Sequence, residues 1–294
     1  MTTLRTAAEQ VTIRTRILRV LTLLLGLAVV ASLCYLYARF IEVDWLKVRR
    51  VEIPVQNLPQ SFEGFRIVHL SDLHCGASGE RERKLPSLVN SLQADALMLS
   101  GDFAETEEGE KNRRLRHCPT RGQIRQVGGL GNWDSGYTIT TLKSAEIKIL
   151  LNETDVIEIG DESIGIIGLR FSVASRRNPL PNQRKTIADL RAQLPDRPVV
   201  LLEHFPRIIH AAQDEKIDIV LAGHTHGGQV RIPFGPALIT PSDMGVWRSR
   251  GLFRLKDTYL YINPGVGLEP GPDYMKVRFF CRPEVTLIVL RKAE

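Results

Sequence analysis

Four short apolar runs, each followed at once by a polar loop, constrain this chain more than any other feature. FRIVHL (65–70) leads into SDLHCG, DALMLS (95–100) into GDF, PVVLLE (198–203) into His204, and IDIVLA (217–222) into GHTHGG. Aliphatic runs without polar alternation are strands buried on both faces. Such strands need helices over their sheet, so the chain is predicted to be an α/β protein. Polar groups just beyond the carboxyl ends of these strands are where sites form.

The remaining elements are read with the same rules. VRRVEIPVQNLP after residue 47, SIGIIGL (163–169), YLYIN and EVTLIVL in the tail are further strands, and residues 82–93 and 184–194 carry helical spacing. Pro86 is expected in the first turn of the earlier helix. Residues 105–129 break the pattern, being highly charged with few apolar positions. They read as a long surface loop, or as a local error in the sequence, with no strand ahead of Gly131 and Asn132. No solenoid-type repeat is present.

From Val20 to Ala38 the chain reads VLTLLLGLAVVASLCYLYA, without a charge. Such a helix rises about 28 Å, enough to cross the hydrocarbon of a bilayer. Tyr35, Tyr37 and Trp45 supply interfacial aromatics. A cleaved signal peptide is the main competitor, but the run is long for one and lacks a small-x-small site. Leu33 is too bulky for a lipoprotein box ahead of Cys34. Residues 1–45 are therefore expected to be an N-terminal anchor with its spanning helix over about 18–38, and residues 46–294 a globular domain. Arg5, Arg14, Arg16 and Arg19 before the run balance Arg39, Lys47, Arg49 and Arg50 after it, so charge does not orient the helix.

The formal charge of +6 suits an anionic substrate or a lipid surface, and equally a solvated exterior. Cys34, Cys75, Cys118 and Cys281 are scattered with no CxxC pair, which argues against a zinc knuckle or a disulfide scaffold and fits a reducing compartment. No nucleic-acid partner is expected, and the sequence does not set the oligomeric state.

Five polar signals follow one another along the chain: Asp72-x-His74, Gly101-Asp102, Gly131-Asn132, His204, and Gly223-His224-x-His226. Taken singly each is weak, since a lone D-x-H or Gly-Asp is more often structural. In an extended stretch, residues two apart point the same way, so each x-spaced pair could reach one ion. Their order and spacing resemble the calcineurin-like metallophosphoesterases over roughly residues 50–291. GHTHGGQVRIP is especially similar to a membrane-linked bacterial branch that includes UDP-2,3-diacylglucosamine pyrophosphohydrolases.

The resemblance implies two packed, mainly parallel or mixed sheets flanked by helices, and a pair of divalent metal ions. By position, Asp72, His74 and His226 would hold one ion, Asn132, His204 and His224 the other, and Asp102 would bridge them. Mixed nitrogen and oxygen donors without thiolate suit Mn, Fe or Zn. Asn132 and Asp134 are the expected catalytic residues. GGLGNWDSG (128–136) departs from the family pattern, with Trp133 where a histidine usually follows the asparagine. Indole cannot give up its proton at neutral pH, so the implied substrate has a leaving group that needs no acid. The expected function is hydrolysis of a P–O bond in a pyrophosphate-linked lipid or nucleotide at the inner membrane, UDP-2,3-diacylglucosamine being the most specific case. That substrate would put the site on the cytoplasmic side. The alternatives are a broad phosphomonoesterase or phosphodiesterase, and an inactive metal-binding scaffold.

Overall fold

The computed structural model describes residues 2–75, 80–104, 125–170, 180–242 and 244–293. Two six-stranded sheets form its centre. The first has the order β1 (Lys47–Val55), β12 (Glu284–Lys292), β2 (Arg66–Leu70), β3 (Ala96–Ser100), β4 (Arg125–Gly129) and β5 (Lys148–Ile149). The second runs β10 (Gly251–Leu255), β11 (Thr258–Ile262), β9 (Ile219–Ala222), β8 (Val199–Leu202), β7 (Glu162–Gly168) and β6 (Glu153–Ile159). Strands β2 to β5 are mutually parallel, as are β7, β8, β9 and β11; β12, β6 and β10 introduce antiparallel pairs.

The apolar runs explain why the sheets pack face to face. Successive strand side chains point to opposite faces, and here both faces are covered. Ile67, Met98, Val127, Ile166, Val200, Leu202, Ile219 and Leu221 meet in one core between the sheets. Their strand neighbours Val68, Leu97 and Leu99 face outward, packing with Leu85 and Val89 of helix α2 (Glu80–Ser91) and Leu142 of helix α3 (Gly136–Ser144). On the far side Val199, Leu201, Val220 and Ala222 pack with Ile187 and Leu190 of helix α4 (Leu180–Arg191). The result is a helix–sheet–sheet–helix sandwich, the predicted α/β class.

Two expectations are corrected. Residues 125–129 are not loop: Arg125–Gly129 is β4, paired in parallel with β3 from Ala96↔Arg125 to Ser100↔Gly129. With Val127 as its one branched residue, this segment has little strand propensity of its own and is held by the ladder to a buried neighbour. The rest of the expected loop, 105–124, lies outside the described residues, as does Cys118. Pro86 falls within α2 rather than in its first turn, because the helix begins earlier, at Glu80.

Helix α1 (Thr2–Phe40) is long and apolar enough to cross a membrane, and its side chains from Thr12 to Leu33 are exposed. Its carboxyl end is fastened to the sandwich. The Arg278 N–H donates to Ala38 O (3.1 Å), and buried Glu42 accepts from the N–H groups of Phe280 (2.9 Å) and Cys281 (2.6 Å).

Candidate metal centre

The polar loops converge at one end of the sandwich, where the two sheets meet. Asp72 and His74 follow β2, Asp102 follows β3 and Asn132 follows β4, all from the first sheet. His204 follows β8, and His224 and His226 follow β9, from the second. Asp72, His74 and His226 form one group whose ligating atoms lie within 4.8 Å of one another, and Asp72, Asp102 and His204 form another. His226 Nε2 is 3.3 Å from Asp72 Oδ1 and 3.2 Å from His74 Nε2. His204 Nε2 is 3.1 Å from Asp102 Oδ2, and the His224 ring centroid lies 5.2 Å from that of His204.

Both aspartates span the cluster. Asp102 Oδ2 reaches His204 and, at 3.6 Å, His74 Nε2; Asp72 Oδ1 reaches His226 and, at 3.9 Å, His204 Nε2. The expected division gave only Asp102 a shared position.

The local backbone is unlike the extended stretch used to interpret the x-spaced pairs. Asp72, His74, Asp102, His224 and His226 all adopt left-handed backbone, with φ of 49°, 41°, 56°, 67° and 48°. That conformation is uncommon outside glycine and costs about 1–3 kcal/mol where it is strained. It is held by loop-to-loop hydrogen bonds: Asp72 N–H to Gly101 O (3.0 Å), His74 N–H to Asp102 O (3.1 Å), and His224 N–H to the Asp72 carboxylate (3.1 Å). Close approach also needs glycine. A Cβ on Gly223 would lie 1.8 Å from Ser71 Oγ and 2.3 Å from Asp72 Oδ2, and one on Gly131 would lie 2.1 Å from Asp102 Oδ1.

The donor set fits divalent cations. His204 Nδ1 lies 2.7 Å from the Ser100 carbonyl, which can only accept, so that nitrogen carries the proton and Nε2 faces Asp102. Without a cation the imidazole must hold a second proton there. Burial would lower its pKa, but the Asp102 and Asp72 carboxylates outweigh this and raise it to about 10. Burial raises Asp72 above the usual carboxylate range, while burial together with His226 lowers His74 well below that of a free imidazole. Asn132 Oδ1, in addition, is buried with no hydrogen-bond partner. A divalent ion would stabilise the carboxylates and use the free imidazole and amide lone pairs together.

Trp133 and Asp134 have distinct parts. The Trp133 N–H donates to Asp102 Oδ1 (2.9 Å), and its indole, 42% exposed, stands edge-on to His74 at 6.2 Å. Asp134, expected among the catalytic residues, gives its carboxylate to three backbone N–H groups, those of Asp102, Phe103 and Gly131, each at 2.8 Å. It fastens the Asp102 loop to the Asn132 loop. Next to it, Ser135 caps α3 by accepting from Tyr137 N–H while its own N–H donates to Thr138 Oγ1.

The match to the calcineurin-like phosphoesterase family model spans residues 65–228, more than half of the chain, and includes all of these loops. The chain belongs to the calcineurin-like phosphoesterase family. It is 31% identical to phosphodiesterase YaeI of Escherichia coli, covering 86% of this chain and 92% of that protein. It is 25% identical to the UDP-2,3-diacylglucosamine pyrophosphatase LpxG of Chlamydia trachomatis, covering 87% of this chain and 92% of that one. A transmembrane protein with metallophosphoesterase domain from Danio rerio is 31% identical over 84% of this chain, which spans 58% of that relative. The protein is thus a metallophosphoesterase, a hydrolase of phosphoester or phosphoanhydride bonds.

Sequence reasoning missed a sixth loop of this metallophosphoesterase, residues 263–269, which follows β11. It lies beyond the segment that matches the family. Val266 N–H donates to Ser71 O (3.1 Å) and Gly267 N–H to Asp72 O (2.6 Å), while Glu269 Oε2 is 3.0 Å from His226 Nε2. Fully buried Arg278 holds the loop through the carbonyls of Pro264, Gly265 and Gly267. The signal was available: YLYIN is an apolar run delivering the turn-rich NPGVGLEPGP, the same arrangement as in the four recognised loops.

Proposed function

We propose that this chain is a dinuclear-metal-dependent phosphohydrolase of the inner membrane that cleaves a P–O bond in a pyrophosphate-linked lipid, with UDP-2,3-diacylglucosamine as the most specific candidate. Residues 1–45 serve as its anchor and residues 46–294 as its metallophosphoesterase domain. Asp72, His74 and His226 hold one ion, Asn132, His204 and His224 the second, and Asp102, with Asp72 beside it, lies between them. Mn, Fe or Zn fits these donors. Such a pair, when bound, polarises phosphoryl oxygens and makes water a competent nucleophile at neutral pH.

The residues around the ions have supporting tasks. Asp134 keeps Asp102 and Asn132 in register through its backbone hydrogen bonds. Trp133 fixes Asp102 through its main chain and offers no proton to a leaving group. A nucleoside monophosphate departs as a stabilised anion and so tolerates this arrangement, whereas an alkoxide does not.

One observation carries the lipid assignment. The end of α1 is tied through Glu42 to Cys281, whose Sγ donates to the carbonyl of His226 (3.4 Å), so the membrane helix is coupled to a residue of the cluster. The test is manganese-stimulated hydrolysis by the full chain of UDP-2,3-diacylglucosamine in mixed micelles, against a soluble chromogenic phosphodiester. The proposal expects the lipid to be much preferred, with Asp102→Ala inactive on both. Equal rates would favour a broad phosphodiesterase, and retained activity in Asp102→Ala would defeat the metal mechanism.

A further inference from the structure

Beside the cluster, and continuous with it, is a cavity of about 660 Å³ whose lining includes His226 and Glu269 at the polar end and Val230, Leu238, Met275 and Val277 elsewhere. Its size is that of a small-molecule site, but most of its wall is apolar, and the residues around it are apolar and solvent-facing. Among its lining residues Ile239 is 80% exposed, and Leu238, Tyr274 and Met275 are also exposed. A soluble protein rarely leaves so many large apolar side chains together without a partner.

The membrane helix identifies that partner. One wall of the cavity, Tyr274–Val277, leads directly into the segment that α1 touches. Tyr35 Oη donates to Tyr274 O (3.2 Å), the Tyr37 ring packs edge-on against Phe279, and Arg278 N–H donates to Ala38 O. Tyr35 to Ala38 form the last turn of the uncharged run. One helical turn rises about 5.4 Å, so this wall lies within a few ångströms of where the hydrocarbon ends. Tyr35 and Tyr274, joined there by their hydrogen bond, are of the residue type that settles at that boundary.

We propose that this cavity holds an acyl chain of a lipid drawn from the leaflet in which the carboxyl end of α1 emerges, with the lipid's phosphate directed toward His226. Loops 232–239 and 274–275 rest on the same leaflet. The inference rests on the lipid phosphohydrolase reading for its substrate, but the cavity's occupant can be tested without catalysis. An acyl chain gains free energy for each methylene removed from water, yet nothing for leaving hydrocarbon. The apolar lining therefore makes extraction from the bilayer nearly neutral in cost, leaving head-group contacts to decide selectivity.

The test is photolabelling of the full chain in phosphatidylcholine vesicles containing phosphatidic acid with a diazirine in its acyl chain. Adducts are expected within 228–241 and 274–277 as well as on α1. Val230→Trp and Val277→Trp, which fill the cavity from opposite walls, should each reduce the 228–241 and 274–277 adducts at least tenfold while α1 is labelled as before. Circular dichroism checks that each variant is folded, and either one suffices. Adducts confined to α1, or cavity adducts unchanged in a folded filled variant, overturn the proposal. Cavity adducts that respond to filling, in a protein that hydrolyses no pyrophosphate lipid, support the acyl site and count against the catalytic reading alone.

Discussion

Trp133 makes its essential contact through the main chain, so its side chain can be exchanged without releasing Asp102. That separates two effects usually tangled in this part of a phosphoesterase site. A histidine here could protonate a leaving group, help typically worth about 10²–10⁴-fold, but only where the leaving group needs it. Trp133→His is therefore expected to speed hydrolysis of an alkyl phosphodiester by about tenfold or more, and to change p-nitrophenyl ester hydrolysis little. Equal acceleration of both, in a leaving-group series, would mean that the indole merely obstructs access. The residue types of the expected ligands were legible because metal chemistry restricts them to Asp, His and Asn at fixed spacing. Their geometry was not. An x-spaced pair in a strand and one in a left-handed turn have the same letters, and only the opposing loops, through bonds such as Asp72 N–H to Gly101 O, decide between them.

At the scale of elements, strands buried on both faces announced themselves, and those lacking that pattern did not. β4 and the edge strands β5, β6 and β10 went unread because their pairing comes from neighbours in the sheet rather than from an apolar run of their own. The loop after β11 escaped because Glu269 and Arg278 lie beyond the recognised motifs. Loop packing at the strand ends has a sharp consequence at Gly223, where a methyl group would lie against Ser71 and Asp72. Gly223→Ala should displace Asp72, leaving far-UV circular dichroism intact while manganese uptake falls below one ion per chain; full uptake would mean that the loops yield freely. A second consequence concerns Asp218, at the start of β9. It accepts from Val199 N–H (2.8 Å), and burial raises its carboxyl from 3.8 to about 6. The folded state thus binds a proton more tightly than the unfolded state, a stabilisation fully present below pH 3.8 and lost as pH rises through about 6. Asp218→Asn keeps an acceptor but not the charge. Urea melts should find the variant gaining on the wild type as pH rises from 3.8 through about 6, with the difference constant above that; a constant difference across the whole range would show that Asp218 ionises freely.

For the whole molecule, the decisive fact is that the expected ligands come from both sheets. Asp72, His74, Asp102 and Asn132 extend from the first, and His204, His224 and His226 from the second. This junction brings together buried carboxylates and imidazoles, with the His204 ring held by its Nδ1 contact to the Ser100 carbonyl and its Nε2 turned toward Asp102 at 3.1 Å. Ions at the centre would therefore join the two halves of the sandwich as well as serve chemistry. Binding to the folded state alone contributes about 2.7 kcal/mol at a hundredfold excess over Kd. For a domain of this size each kcal/mol moves Tm by about 2–4 °C, so saturating manganese or zinc should raise Tm by about 5–10 °C, and chelation should reverse it. The position of the ligands makes the expectation specific. Asp72→Ala, at the end of a first-sheet strand, and His204→Ala, at the end of a second-sheet strand, should each abolish most of the metal-dependent increment, although neither lies on the other's sheet. If calorimetry finds the increment unchanged in one of them, the ions are held from a single sheet, and the centre is not the junction that the convergence of loops makes it.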